Sequence, residues 1–534
     1  MAYRIPGNLM TYRLAVSTTP DYVAAAGGTK VLAFAEIVTA IDRVNAIYER
    51  DLGIHLDLVA NNDLLIGEVP NNDVLTLFAQ NQAFIDSKLD PADYDIGHIF
   101  SAPTNINDSG GIATIRSACD NSSKAQGATG LLDPTGPIFY IDFVAHEIGH
   151  QFGAEHSFNG TTFACGGGNR VPSSAFEPGS GSTIMGYAGI CGVEDIQANS
   201  DATFHAGSIA QIHAFTGVGG SCYALSDTGN TDPDSVNAGD ERTIPLATPF
   251  KLKGSGNDAD GDTLWYQWDQ MDAGAATNAD TLGDDLGSNA LFRSYSPQPS
   301  GSRDFPALGT QVVDGPYDQS ETLPCTTRSL NFRLTVRDEK GGQAIDDVRI
   351  NVDGNSGPFR ITSHNKPGTS IDQSTPSVVL TWAVANTNVA PVSCANVDID
   401  LLTFSGGHAS YAVNPLLVGT PNDGTETVTL ARSAAFARFR VKCSNNIFYD
   451  VSDADIDINS DPTNGNYAVS GNTTFSNPNG LFATSSSCVP APVAPVGGGG
   501  GGALDRLWMI FLLSLMTGLR LVRGQGQVNG NQPV

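Results

Sequence analysis

A chain of 534 residues has room for about three domains. Its 28 basic and 56 acidic side chains leave a formal charge of −28, which excludes nucleic acid as a partner because phosphate binding needs a basic footprint. The acidity, with 59 glycines, suits a soluble extracellular protein.

In chain order, residues 12–17 read as a strand. Residues 30–51 read as a long amphipathic helix, with Val31, Phe34, Ile37, Val38, Ile41, Val44, Ile47 and Tyr48 at helical spacing. Residues 55–60 alternate as a strand, 72–88 read as a helix, 94–100 as a buried strand and 138–152 as an apolar helix. Strand and helix signals thus alternate through residues 1–225, which predicts an α/β domain. Residues 226–355 change to strands and turns without a helix. Residues 330–336 and 344–352 flank the turn Asp338-Glu339-Lys340-Gly341-Gly342 as a hairpin. Just before the strand at 263–268, Asp258, Asp260 and Asp262 crowd one turn. Such carboxylates either ligate calcium or form a plain acidic turn. Residues 356–485 are a second β-rich unit, with strands at 378–384, 397–402, 426–430, 437–443 and 447–451 spaced as in a sandwich. Neither β unit carries a chemical constellation, so both read as spacers or substrate-binding modules.

Residues 486–534 differ again. Six consecutive glycines at 497–502 precede an apolar stretch at 507–519, with Arg520 and Arg523 behind it. As a helix this stretch rises only about 20 Å against a hydrocarbon core of about 30 Å. The arginines place its far end in the cytoplasm and the preceding chain outside. It reads as a membrane-engaging tail, the alternative being a buried core helix. Met1 to Pro6 lacks the apolar region of a signal peptide, so export implies a signal upstream of this sequence; the alternative is a cytoplasmic protein.

Eight scattered cysteines without a C-x-x-C pattern read as disulfides formed in an oxidising compartment. The expected pairs are Cys165 with Cys191, Cys119 with Cys222, and Cys394 with Cys443; Cys325 and Cys488 are left without an expected connection.

The chemistry concentrates at His146-Glu147-Ile148-Gly149-His150-Gln151-Phe152-Gly153-Ala154-Glu155-His156. This stretch fits H-E-x-x-H-x-x-G-x-x-H. Four residues apart on a helix, His146 and His150 share one face and can reach one ion. Glu147, one position on, can hold a metal-bound water without being a ligand. Gly153 can take positive φ, end the helix and return His156 as third ligand. Three neutral histidines leave a fourth position open, as in catalytic zinc sites.

The motif resembles the metzincin metallopeptidases, and Ser182-Thr183-Ile184-Met185-Gly186-Tyr187 looks like their methionine turn, with Met185 as its methionine. The order of parts is most similar to the bacterial reprolysin-like (adamalysin-related) proteases. The resemblance covers about 215 residues. It implies a twisted sheet with helices above a cleft, bound Zn2+, and Glu147 as general base. For Tyr187 it implies either a catalytic role, as in astacins and serralysins, or a packed turn tyrosine. Ser157 stands where animal reprolysins carry Asp, so that buried support is either absent or supplied from elsewhere. The turn from Asn257 to Asp262, running into a strand, is similar to those in PKD-like and cadherin-like Ig-fold modules of secreted bacterial enzymes. The 497–523 region resembles GlyGly-CTERM sorting signals of Gram-negative bacteria, which implies a rhomboid-type sorting protease as partner.

The expectation is therefore a multidomain chain: a metzincin domain at 1–225, two all-β sandwiches at 226–355 and 356–485, and a linker with a short hydrophobic helix at 486–534. It would act as a monomeric, secreted or surface-attached zinc endopeptidase on protein or peptide substrates, with calcium as a second ion only if Asp258, Asp260 and Asp262 are ligands and not a plain acidic turn. A non-catalytic surface adhesin that binds through its β modules is the alternative.

Overall fold

The computed structural model describes residues 6–308, 319–366, 369–372, 374–405, 410–431 and 434–459. Cys488 and the expected tail at 486–534 lie outside the described residues. Among the described residues, no helix is long and apolar enough to cross a membrane.

The N-terminal unit runs β1 (Asn8–Thr18), α1 (Pro20–Ala25), α2 (Lys30–Leu52), β2 (Ile54–Leu58), α3 (Val74–Asp86), β3 (Ile96–Ser101), β4 (Gly110–Ala113) and β5 (Gly127–Gly130). A π-helix (Ile138–Ala145), α4 (His146–Gln151), α5 (Ala206–Thr216) and β6 (Ala224–Asp227) complete it. Its sheet has the order β2-β1-β3-β5-β4, with β6 added on β1. The pairs β1–β2, β1–β3 and β3–β5 are parallel. Strands β4 and β6 pair antiparallel with β5 and β1.

Local chemistry sets the helix ends. Thr29 caps α2 by accepting from Leu32 N–H, and Gly53 closes it at φ +63°. Asp73 caps α3 by accepting from Thr76 N–H. The buried stripe of α2 is Ala33, Ile37, Ala40, Ile41, Val44, Ile47, Tyr48 and Leu52. Val31 and Phe34, expected on that face, are exposed at 78% and 37%. The inward column begins at Ala33, and these two larger side chains in the first turns lie off it. The expected helix at 138–152 is helical throughout, but its first half is wound as a π-helix and tightens to α only at His146.

The first β region contains β7 (Asp234–Asn237), β8 (Arg242–Pro245), β9 (Phe250–Lys253), β10 (Ser255–Asn257), β11 (Trp265–Gln270), β12 (Ser302–Phe305), β13 (Arg328–Arg337) and β14 (Gln343–Asp353). Its largest sheet is β11-β13-β14-β8. The β13–β14 hairpin pairs Arg328 with Val352 through to Arg337 with Gln343. The second β region contains β15 (Arg360–Ile361), β16 (Thr369–Asp372), β17 (Ser377–Ala383), β18 (Asn396–Ser405), β19 (Ser410–Pro421), β20 (Thr425–Thr429), β21 (Ala434–Cys443), β22 (Tyr449–Val451) and β23 (Ile456–Asn459). Its strands form β15-β17-β20 and β16-β23-β21-β18-β19, with β22 on β21.

One apolar cluster runs through both β regions, from Ala238 and Phe250 to Phe448 and Ile458. The rings of Phe359 and Phe448 meet at 5.3 Å, and Phe448 forms a β-bridge to Phe250. Apolar burial thus continues from one region into the other.

Polar groups join the first β region to the N-terminal unit. Arg337 on β13 and Asp51 at the end of α2, both fully buried, form an ion pair at 3.0 Å. Asp269 on β11 accepts from Ala206 N–H at 3.0 Å. Ser182 Oγ donates to Ser294 O at 3.1 Å, and Thr161 Oγ1 to Thr277 O at 2.7 Å.

Disulfides join Cys119 to Cys222, Cys165 to Cys191 and Cys394 to Cys443, with Cα–Cα distances of 5.7, 5.2 and 5.9 Å. Cys325 is also disulfide-bonded.

Candidate metal centre

Each histidine of the motif is oriented by its other ring nitrogen. His146 Nδ1–H donates to Ile184 O, His150 Nδ1–H to Ala154 O and His156 Nδ1–H to Asn169 O, each at 2.7 Å. These backbone partners fix the tautomer, leaving all three Nε2 lone pairs free. His146 Nε2 is buried without a protein partner, and His150 Nε2 and His156 Nε2 lie 3.0 Å apart. One ligand atom from each of the three residues lies within 4.8 Å of the other two. Tetrahedral zinc with imidazole nitrogens at its usual bond length needs them roughly 3.3 Å apart. The donor set therefore fits a zinc ion, and three nitrogens leave one position open.

Burial also keeps the ligands neutral. It depresses the His146 pKa to about 3 and that of His150 to about 4, and pulls His156 well below the usual value. Neighbouring imidazoles depress His146 and His156 further.

The turn that returns His156 is a Schellman closure of α4. Gly153 N–H donates to His150 O at 2.8 Å and Ala154 N–H to Gly149 O at 2.9 Å, with Gly153 at φ +96°. Beneath the histidines the methionine turn packs against α4. Met185 Sδ sits only 2.7 Å from where a Cβ on Gly149 would fall. The same turn supplies the Ile184 carbonyl that holds His146.

The support left open at Ser157 comes from Glu177, which nothing in the sequence pattern singles out. Its fully buried carboxylate accepts from Ser157 Oγ at 2.6 Å, Ser182 N–H at 2.8 Å, Ser182 Oγ at 3.0 Å and Thr183 N–H at 3.1 Å. Thr183 Oγ1 donates as well. Through its backbone, Glu177 N–H donates to Ser157 O and its carbonyl accepts from Asn159 N–H, both at 2.9 Å. One side chain thus ties the segment after His156 to the residues that lead into Met185. Asn169 was also missed; besides holding His156 through its carbonyl, it donates from Nδ2 to Ala164 O at 2.9 Å, beside the Cys165–Cys191 bridge.

Glu147 is 2% exposed, and burial holds its carboxyl well above the usual range. Its Oε2 has no protein partner. Gly111 on β4 faces it so closely that a Cβ there would fall 2.2 Å from Glu147 Oε1. Tyr187 packs its ring 4.6 Å from those of His156 and Phe158 and 5.6 Å from that of His146. Its buried hydroxyl has no partner. His146, Glu147 and Tyr187 line one pocket.

Residues 9–215 match the model of the Reprolysin-like metallo-peptidase family M12B. The match supports a reprolysin-like metalloprotease domain over that stretch, and the histidine triad fits its zinc site. No curated protein matches the chain. Among solved structures, the N-terminal Ig1-2 module of a Drosophila receptor protein tyrosine phosphatase, DLAR, aligns at 9% identity over 43% of this chain and 99% of its own, with a TM-score of 0.23. A chimeric titin Z1Z2 aligns at 10% identity over 43% and 98%, with a TM-score of 0.15. Scores this low carry nothing further about the β regions.

Of the remaining expected site residues, Asp258, Asp260 and Asp262 do come together within 4.8 Å. Asp258 Oδ1 accepts from the N–H groups of Asp260 and Asp262 at 2.9 and 3.1 Å. Lys340 Nζ pairs with Asp262 Oδ1 at 2.6 Å, and Asp260 Oδ2 accepts from Thr231 N–H at 2.7 Å. One oxygen each of Asp258 and Asp262 is without a partner. An acidic turn closed by its own amides and a lysine accounts for this geometry, and calcium gains no support from it.

Proposed function

We propose that the N-terminal unit is a zinc-dependent endopeptidase and that the chain works outside the cell, secreted or surface-attached. The single observation that carries this reading is the convergence of three Nε2 atoms, each fixed through its Nδ1, beside a buried carboxylate with a free oxygen. When bound, zinc lowers the pKa of a water and polarises a carbonyl oxygen.

The chain's own groups do the rest. Glu147 accepts the proton of the attacking water at its free oxygen and delivers it to the leaving amine, a role worth roughly 10²–10⁴-fold. Its raised proton affinity suits the second half of that task, while a nearby cation suits the first by drawing the affinity back down. The unpartnered Tyr187 hydroxyl is available to donate to the oxyanion that develops on the substrate carbonyl. Glu177 and Met185 keep the floor of the site in place. An extracellular setting is supported by the disulfides and the net charge of −28.

The test is metal content measured with casein hydrolysis. The purified chain should hold one zinc, lose cleavage to a chelator and regain it with zinc. His150→Ala should lose both the metal and the cleavage. Chelator-resistant cleavage, or one zinc retained by His150→Ala, overturns the proposal.

A further inference from the structure

A second carboxylate opens into the pocket that Glu147 lines. Asp142 lies one helical turn before His146, and Asp142 and Glu147 are the only carboxylates in that lining. Ser200 N–H donates to Asp142 Oδ1 at 2.5 Å and holds the group in place. Among the described residues no ion pair involves Asp142, and the side chain is only partly buried. Phe143, Ala188 and Ile190 supply apolar wall.

Which substrate residue meets this pocket follows from the peptidase reading, on which the inference rests. Glu147 returns its proton to the leaving amine, so the amine side of the cleaved bond lies against Glu147. The side chain carried by that amine's residue then enters the pocket Glu147 lines. We propose that Asp142 selects a lysine or arginine on the C-terminal side of the cleaved bond. An apolar stem and a cationic head have the chemistry of this lining, with Phe143, Ala188 and Ile190 beside the Asp142 carboxylate that Ser200 holds. Burial pushes the Asp142 carboxyl up to about 6, a desolvation cost that an incoming cation offsets. The chain's charge of −28 also draws cationic segments towards it.

The test uses the zinc-loaded full chain and peptides that differ only at the residue following the cleaved bond: Lys, Arg, norleucine, Gln or Glu. Wild type should cleave the Lys and Arg peptides with kcat/KM at least about tenfold above norleucine, and Glu least well, as a partly desolvated charge pair allows. Asp142→Asn and Asp142→Ser should bring the Lys-to-norleucine ratio towards one. A wild-type preference for norleucine or Glu, or no preference, overturns the proposal without reference to any variant. An unchanged ratio in a folded, zinc-retaining Asp142→Asn overturns it as well. If wild type cleaves neither these peptides nor casein, the peptidase reading itself has failed and the inference falls with it.

Discussion

Of the five hydrogen bonds Glu177 accepts, three end on Oε2, and Glu177→Gln puts an amide donor there, so the N–H groups of Ser182 and Thr183 both lose their acceptor. Bonds to a charged acceptor are worth about 1.5–3 kcal/mol each, and a buried donor left unmade costs about as much. Losing two of them puts the cost at about 3–6 kcal/mol, a large share of the 5–15 kcal/mol typical of a domain. At roughly 2–4 °C per kcal/mol for a unit of this size, even the lower figure shifts the melting transition by about 6–12 °C. The damage should also reach the metal, because Ser182 and Thr183 lead directly into Ile184, whose carbonyl orients His146. Loss of such an outer partner typically costs about 10–100-fold in metal affinity. Differential scanning calorimetry of the zinc-free chain, with zinc affinity measured by chelator competition, reads both effects. A transition moved by less than 2 °C (taking about 2–4 °C per kcal/mol), with unchanged zinc affinity, would refute the claim that Glu177 is the support at this site.

Three further outcomes follow from other contacts. Gly111→Ala places a Cβ 2.2 Å from Glu147 Oε1, so kcat/KM should fall on the order of 10²-fold while zinc content holds; full activity would show that Glu147 yields freely. His98 is buried between Gln151 and Thr129, and burial lowers its pKa from 6.5 to about 4. It stays neutral in the folded state while the unfolded chain takes up a proton, so its contribution is complete above pH 6.5 and declines as pH falls towards 4, by up to about 3 kcal/mol. Urea midpoints at pH 5 and pH 7 should differ less in His98→Gln than in wild type, and equal differences would contradict the assignment. Among the described residues, Arg337→Met leaves the buried Asp51 with Arg50 as its remaining cationic partner, which should destabilise the chain by about 3–5 kcal/mol; a change within 0.5 kcal/mol, as for an ordinary surface position, would mean that this pair does not join the units.

The metal centre was legible because its information is local. Helical spacing brings His146 and His150 to one face, Gly153 permits the closing turn, and Met185 follows soon after. The pairs Cys119–Cys222, Cys165–Cys191 and Cys394–Cys443 were also reachable, since placement along the chain narrowed the choice. What escaped depends on residues meeting across space. Glu177 contacts Ser157 across twenty positions through a side chain with no periodic signature. Strands β4 and β5 are short and glycine-bearing, so they lack the β-branched alternation by which strands are recognised. Helix α5 (Ala206–Thr216) was missed because small and polar residues, Ser208 and His213 among them, fill inward positions. For α2 the period was right and so was most of the face, with Ile37, Ile41, Val44, Ile47 and Tyr48 buried; only at its start do Val31 and Phe34 fall on the exposed side. The apolar cluster shared by the two β regions is a property of their contact, which alternation within a single strand cannot express.

The central claim is that Glu147 works beside a metal held by three histidines. Its most direct test is the casein-hydrolysis rate of Glu147→Gln, measured with zinc content on the same preparation. The account predicts one zinc per chain and a rate lowered by at least about 10²-fold, the lower bound for loss of a general base. A variant that holds its zinc and still cleaves casein at the wild-type rate would contradict it.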